Sequence, residues 1–171
     1  MAIIKNFPAT VTAIKNCIGK SVLNIARVQS FINDEENTDG FGDLEIIFKD
    51  NSYLTLSGIG DGESIRAVNK VANIPIAFDI SDTKIVSWKR LDMKQNEGWK
   101  EIIEQTLLSI ELFWHTTQFS DDTLISCILY FDKDFVNFYR TCSDDNKFFI
   151  NERLFSDNDD EIRIERIYSN S

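Results

Sequence analysis

The chain has 171 residues, with 28 acidic and 18 basic side chains and a formal net charge of −10. Such a field repels phosphate backbones and anionic membrane surfaces and attracts basic partners, so nucleic-acid and membrane binding are the roles it most disfavours. Hydrophobic content of 43% with 2 prolines and 7 glycines describes a folded chain without linker or low-complexity tracts, sized for one domain spanning 1–171.

Pro8 to Ile18 reads as a helix: Pro8 suits the first helical position, Val11, Ile14 and Ile18 share a face, and Gly19 can end the turn. Val22–Phe31 is strand-like with imperfect alternation, and residues 33–43 form a polar loop. Leu44–Phe48 and Tyr53–Leu56 flank Lys49-Asp50-Asn51-Ser52 as an antiparallel hairpin. Ser64–Ala72 is expected to be helical, because Ile65, Val68 and Ala72 fall on one face behind a Ser64 cap. Lys84–Leu91 is a final strand for this half.

Trp99–Leu107 predicts a second helix, Leu107–Thr116 a strand, and Leu124–Phe131 with Phe135–Tyr139 a second hairpin around Asp132-Lys133-Asp134. Phe148–Phe155 is aromatic and extended, and Glu161–Tyr168 is the last strand. The expected class is therefore α+β: mostly antiparallel β-sheet with short helices, as one long sheet or as two packed sheets.

The two halves, approximately 8–92 and 97–168, run through the same order of helix, strand, hairpin and strand. Ser21-Val22-Leu23-Asn24-Ile25 is echoed by Thr106-Leu107-Leu108-Ser109-Ile110. Ile46–Asp50 with Tyr53–Leu56 is echoed by Leu129–Lys133 with Phe135–Phe138, and Val86–Leu91 by Ile162–Ile167. The expectation is a divergent internal repeat.

Few residues point to catalysis. Gly58-Ile59-Gly60-Asp61-Gly62 lacks both the dinucleotide-binding spacing and the lysine of a phosphate loop, and its acids oppose phosphate. Ser156–Glu161 is acid-rich, but a calcium loop counted from Asp157 would need glycine and glutamate where Ile162 and Tyr168 stand. His115 is the lone histidine, too few for a multi-histidine metal site. Three cysteines, Cys17, Cys127 and Cys142, show no C-x-x-C spacing, and the start shows no basic leader before an apolar run, so reduced thiols and a cytoplasmic location are expected. Cys17 and Cys127 read as buried, Cys142 as exposed. The longest apolar stretch, around Ile125–Phe131, is far short of the ~20 residues that span a bilayer. No metal and no cofactor is called for.

Charge is unevenly spread. Residues 1–96 carry 12 acids against 11 bases, whereas residues 97–171 carry 16 against 7. The second half is also rich in aromatics, and an aromatic anchor inside a charged rim is a usual basis of protein recognition. The candidate partner-binding residues are Asp121, Asp122, Asp144, Asp145, Trp114 and Tyr139.

Ile18-Gly19-Lys20-Ser21-Val22, followed by Asp43–Asp50 and the hairpin to Leu56, resembles small bacterial immunity-type or uncharacterised proteins that pair a Gly-Lys turn with a hairpin of this kind. The resemblance covers residues 18–56; the echo in the second half lacks the Gly-Lys. It implies an antitoxin-like protein that binds a cognate toxin without catalysis, and it carries over no functional residues. The expected function is thus a non-enzymatic cytoplasmic binding module that neutralises a basic toxin or nuclease domain. Two alternatives are an enzyme with a carboxylate site assembled by the fold, and a structural or assembly subunit; the oligomeric state is left open.

Overall fold

A computed structural model describes residues 7–117, 120–141, 145–156 and 159–169. The first helix, α1, spans Phe7–Lys15 and ends short of the expected Ile18; Thr10, Ala13 and Ile14 are its buried residues. Gly19 follows at φ +84°, a left-handed conformation that turns the chain into the first sheet. That sheet holds β1 (Val22–Ile32), β2 (Glu35–Glu36), β3 (Asp43–Phe48), β4 (Tyr53–Gly58), β5 (Ile65–Val68), β6 (Phe78–Ser81) and β7 (Lys84–Asp92). Its order is β5-β4-β3-β1-β7-β6, with β2 paired to β1. After the one-turn helix α2 (Trp99–Ile102), the second sheet holds β8 (Ser109–Thr117), β9 (Ser120–Tyr130), β10 (Phe135–Arg140), β11 (Asn146–Ile150) and β12 (Ile162–Tyr168), in the order β11-β10-β9-β8-β12. Every pairing is antiparallel, so the α+β class with strand predominating holds.

Two expectations need correction. Ser64–Ala72 is not a helix but contains β5, in which Ile65 and Ala67 alternate inward against β4 and α1. The helix expected over Trp99–Leu107 stops at Ile102, because Ile103 is extended (ψ 138°) and Glu104 is left-handed (φ +74°). The short strands β2 and β6 were not anticipated.

With β2 and β6 set aside, the two sheets have the same order: the first strand has the last strand on one side and, on the other, the hairpin followed by one further strand. The registers correspond as well. Ile25 lies opposite Ile46 and Ile46 opposite Leu54, just as Ile110 lies opposite Leu129 and Leu129 opposite Val136. The third correspondence slips by two residues: Ala26 faces Asp92 while Glu111 faces Arg166, which puts Arg166 level with Asp92 rather than Arg90. A slip of two leaves every side chain on the same face.

The sheets share one core. Ile25, Leu44, Ile46, Phe48, Leu54 and Leu56 from the first meet Ile110, Leu112, Leu129, Val136 and Phe138 from the second, with Ile14 of α1 and Ile102 of α2. Phe48 and Phe138 are fully buried, and each aromatic core side chain removes enough apolar surface to contribute about 2–3 kcal/mol. Cys17 and Cys127 are buried as expected, and burial pushes their thiols up to about 11 and about 12. Cys142 lies outside the described residues.

On the outer face of each sheet, a buried glutamate is held by partly exposed arginines. In the first, Glu45 is fully buried; its Oε2 accepts from the Ala72 amide (2.6 Å) and from Arg90 (3.0 Å). In the second, Glu111 accepts from Arg153 (2.6 Å), Arg166 (2.8 Å) and the Tyr130 hydroxyl (2.9 Å). Among the described residues no helix is long and apolar enough to cross a membrane.

Candidate functional site

The most exposed apolar surface lies in the first half, on the hairpin of β6 and β7. From Asn73 to Ile85 every residue is exposed. Ile76 is 89% exposed, Ile80 57%, Phe78 55% and Ile85 52%. Ile74, Ile76, Phe78 and Ile80 recur every second residue in the sequence; Ile74 and Ile76 precede β6, and the register of β6 on β7 shifts between Asp79 and Ser81. Single exposed apolar residues are normal on a protein surface, whereas a run of this kind is a candidate interaction surface.

The hairpin is tied at its tip to the residue that follows β1. Asn33, left-handed at φ +50°, donates its side-chain amide to the Thr83 carbonyl (2.9 Å) and accepts from the Ile85 amide (2.9 Å), while its own N–H reaches the Ile85 carbonyl (2.9 Å). Lys89 adds an ion pair to Asp34 at 3.0 Å. β6 therefore stands at the sheet edge with its inner side on β7, and among the described residues no strand pairs with its outer side.

Phe78 stands opposite Val86, and its ring lies 5.7 Å from that of Trp88. Trp88 in turn is opposite Ser30, so the apolar strip runs onto the outer face of β1. There it meets an open cavity of about 230 Å³ lined by Trp88, Pro75, Val28 and Ser30 together with Asp43, Asp145 and Asn146. Gly42, at φ +71°, lets the loop pass against the Val28 carbonyl; a Cβ there would stand 1.8 Å from that oxygen. Asn146 ties the halves together, donating to the Gly42 carbonyl (3.1 Å) and to Asp43 (3.3 Å). Asp43 is raised to about 6, first by burial, with Arg66, Arg140 and the Asn146 amide opposing.

Of the residues expected to bind a partner, only Asp145 reaches this region. Trp114 is buried at 7% exposure, edge-on to Phe7 (5.5 Å), with its indole N–H donating to Glu165 (3.1 Å). Asp122 is joined to it through Arg163, which stacks over the Trp114 ring (5.1 Å) and donates to Asp122 (2.9 Å). Tyr139 is half-buried beside Phe149 on β10. Asp144 and the side chain of Asp121 lie outside the described residues. The residues the sequence reading passed over are Ile76, Phe78 and Ile80, and their period-two alternation was the signal that would have found them.

The motif-like segments resolve into local structure. Asp61 accepts from the Glu63 (3.0 Å) and Ser64 (2.8 Å) amides and from the Ser64 hydroxyl, closing its own turn. Lys20 of the Gly-Lys turn bonds Ser52 (2.7 Å) and pairs with Asp50 (2.9 Å), so the two segments that carry the immunity-type resemblance touch. His115 is 3.4 Å from Glu161, and among the described residues no three His, Cys, Asp or Glu side chains converge as metal ligands. Part of the acid-rich stretch at 156–161 lies outside the described residues. Compared with family models, curated proteins and solved structures, the chain has no match.

Proposed function

We propose that the chain is a non-enzymatic protein-binding module of immunity type, acting in the cytoplasm on a basic protein such as a toxin or nuclease domain. The observation that carries this reading is the exposed apolar cluster of Phe78 and Ile80 on the edge strand β6 with Ile76 just ahead of it. A docking surface tied to its sheet by hydrogen bonds loses less conformational entropy on docking than a free loop, and aromatic anchors dominate binding energy at protein interfaces. The net charge of −10 supplies long-range attraction for a basic partner. In this reading the two similar sheets are a duplicated scaffold, and the surface that docks belongs to the half carrying the extra strand β6.

The test compares the full chain with its Ile76→Asp/Phe78→Asp variant as baits in lysate of the native cell. A basic protein retained by the parent, lost from the variant and released as salt rises is the expected result. Identical retention by both baits would overturn the reading.

A further inference from the structure

We infer that two copies of this chain associate through the free edge of β12, antiparallel and in a single register, with the two-fold axis at Ile164. This goes beyond the basic-partner reading and concerns the other sheet. β12 ends the order β11-β10-β9-β8-β12, and its seven residues keep an unbroken register on β8. In the first sheet the corresponding strand, β7, has β6 on this same side, so the fold accepts a strand at that position. The opposite end of the second sheet is partly covered, because the Phe41 amide donates to the Asn146 carbonyl on β11 (2.9 Å).

Backbone geometry restricts how two β12 edges meet. The Thr116 amide donates to the Glu161 carbonyl (2.9 Å) and the Ser169 amide to the Leu108 carbonyl (3.3 Å), so the odd-numbered residues of β12 bond to β8. Ile162, Ile164, Arg166 and Tyr168 therefore aim their backbone groups outward, the Ile162 amide being taken by the Asp159 carbonyl (3.0 Å). Outward-bonding residues must face one another, which places the two-fold axis on a residue rather than between two. Near the middle of the strand, an axis at Arg163 or Arg166 sets arginine against arginine, and one at Glu165 sets glutamate against glutamate. With the axis at Ile164, the two Ile164 residues meet and each Arg163 faces the Glu165 of the other copy. Opposite charges facing one another across strands stabilise a pairing and like charges weaken it. The Arg163 and Glu165 side chains are 48% and 37% exposed, so both reach the seam. Each copy carries −10, but residues 162–168 hold two arginines against one glutamate. The repulsion thus arises away from the seam, where physiological salt screens it beyond about 8 Å.

Sedimentation velocity of the full chain in physiological salt tests this, and a concentration-dependent monomer–dimer equilibrium is expected. Ile164→Pro deletes an outward amide that β8 does not use and should weaken the dimer at least tenfold. Ile164→Cys should form, on mild oxidation, a disulfide between copies that the parent does not, because the Cα atoms of a hydrogen-bonded pair lie about 5.5 Å apart. Glu165→Cys should form none, since its two copies are offset along the strands. A monomer at every concentration up to about 1 mM would overturn the inference. So would a dimer that Phe78→Asp abolishes and Ile164→Pro leaves intact, or a disulfide at Glu165→Cys in place of Ile164→Cys. The cysteine variants decide the register even where the proline variant fails to fold. Capture of a basic partner through Ile76 and Phe78 should survive Ile164→Pro, so failure of the dimer leaves that reading standing.

Discussion

The hydroxyls of Ser21 and Thr106 lie 2.9 Å apart, and the two residues form an antiparallel bridge just ahead of the first strand of each sheet. The bonds around them come in matched pairs. Val22 N–H to Gln105 carbonyl (2.9 Å) mirrors Leu107 N–H to Lys20 carbonyl (2.9 Å), and Glu104 N–H to Val22 carbonyl (2.9 Å) mirrors Gly19 N–H to Leu107 carbonyl (2.7 Å). Each pair interconverts when Ser21 is exchanged with Thr106, so the join between the halves has local two-fold character. Because the backbone carries most of this join, either hydroxyl alone matters modestly. Ser21→Ala and Thr106→Ala are each expected to cost about 0.5–1.5 kcal/mol in urea unfolding. The double variant should cost little more than one single, since both singles delete the same bond. Additive losses would show that the hydroxyls act separately.

The buried Glu45 depends on Arg90, whose side chain is 37% exposed and bridges the carboxylate to the Ala72 carbonyl (3.2 Å). Removing the guanidinium leaves a charge fully enclosed with only the Ala72 amide to hold it. Arg90→Ala is expected to destabilise by about 2–4 kcal/mol, and Glu45→Gln/Arg90→Met to recover a large part of that loss. Chemical denaturation of the three chains decides it; a double variant as unstable as Arg90→Ala would place the cost in lost packing of the arginine stem.

Hairpins were legible because β-branched and aromatic runs around polar turns specify both strands and their register; Ile46 opposite Leu54 follows from that pattern. Ser64–Ala72 was misread because Ile65, Val68 and Ala72 satisfy a helical spacing while Ile65 and Ala67 satisfy a strand spacing. In a run this short the neighbouring strand β4 decides. The charge excess and the aromatic content both pointed to the second half for a partner-binding surface. Counting along the chain does not reveal that Asp122 is held by Arg163, or that Glu111 is shared by Arg153 and Arg166. Those named acids are already engaged by arginines of their own sheet, whereas Ile76, Phe78 and Ile80 remain more than half exposed.

Gly42 and Gly60 make opposite demands. Gly42 combines φ +71° with a Cβ position 1.8 Å from the Val28 carbonyl oxygen, whereas nothing lies within 4 Å of a Cβ at Gly60. Gly42→Ala is expected to cost more than about 2 kcal/mol, since left-handed strain alone costs about 1–2 kcal/mol and backbone must also shift. Gly60→Ala should stay within about 1 kcal/mol of the parent, in either direction. Thermal unfolding of both variants checks the ranking; equal effects would refute the close approach of the 37–42 loop to β1.

Asp43 makes stability depend on pH in a defined direction. Its carboxyl is raised from 3.8 to about 6, chiefly because it is enclosed at the junction of β3 with Asn146, while Arg66, Arg140 and the Asn146 amide pull the other way. The folded chain therefore keeps a proton that the unfolded chain has already released. The stabilisation this group gives is fully present below pH 3.8, declines as pH rises to about 6 and is absent above that. Asp43→Asn retains the shape and the hydrogen bond to Asn146 but cannot ionise. At pH 7.5 the variant is expected to be more stable than the parent by roughly 1–2 kcal/mol, the gap closing as pH falls toward 4. Urea titrations at several pH values across that window measure it. A variant less stable than the parent at pH 7.5 would mean that Arg66 and Arg140 hold the carboxylate more strongly than burial opposes it, and would reverse the sign of the dependence.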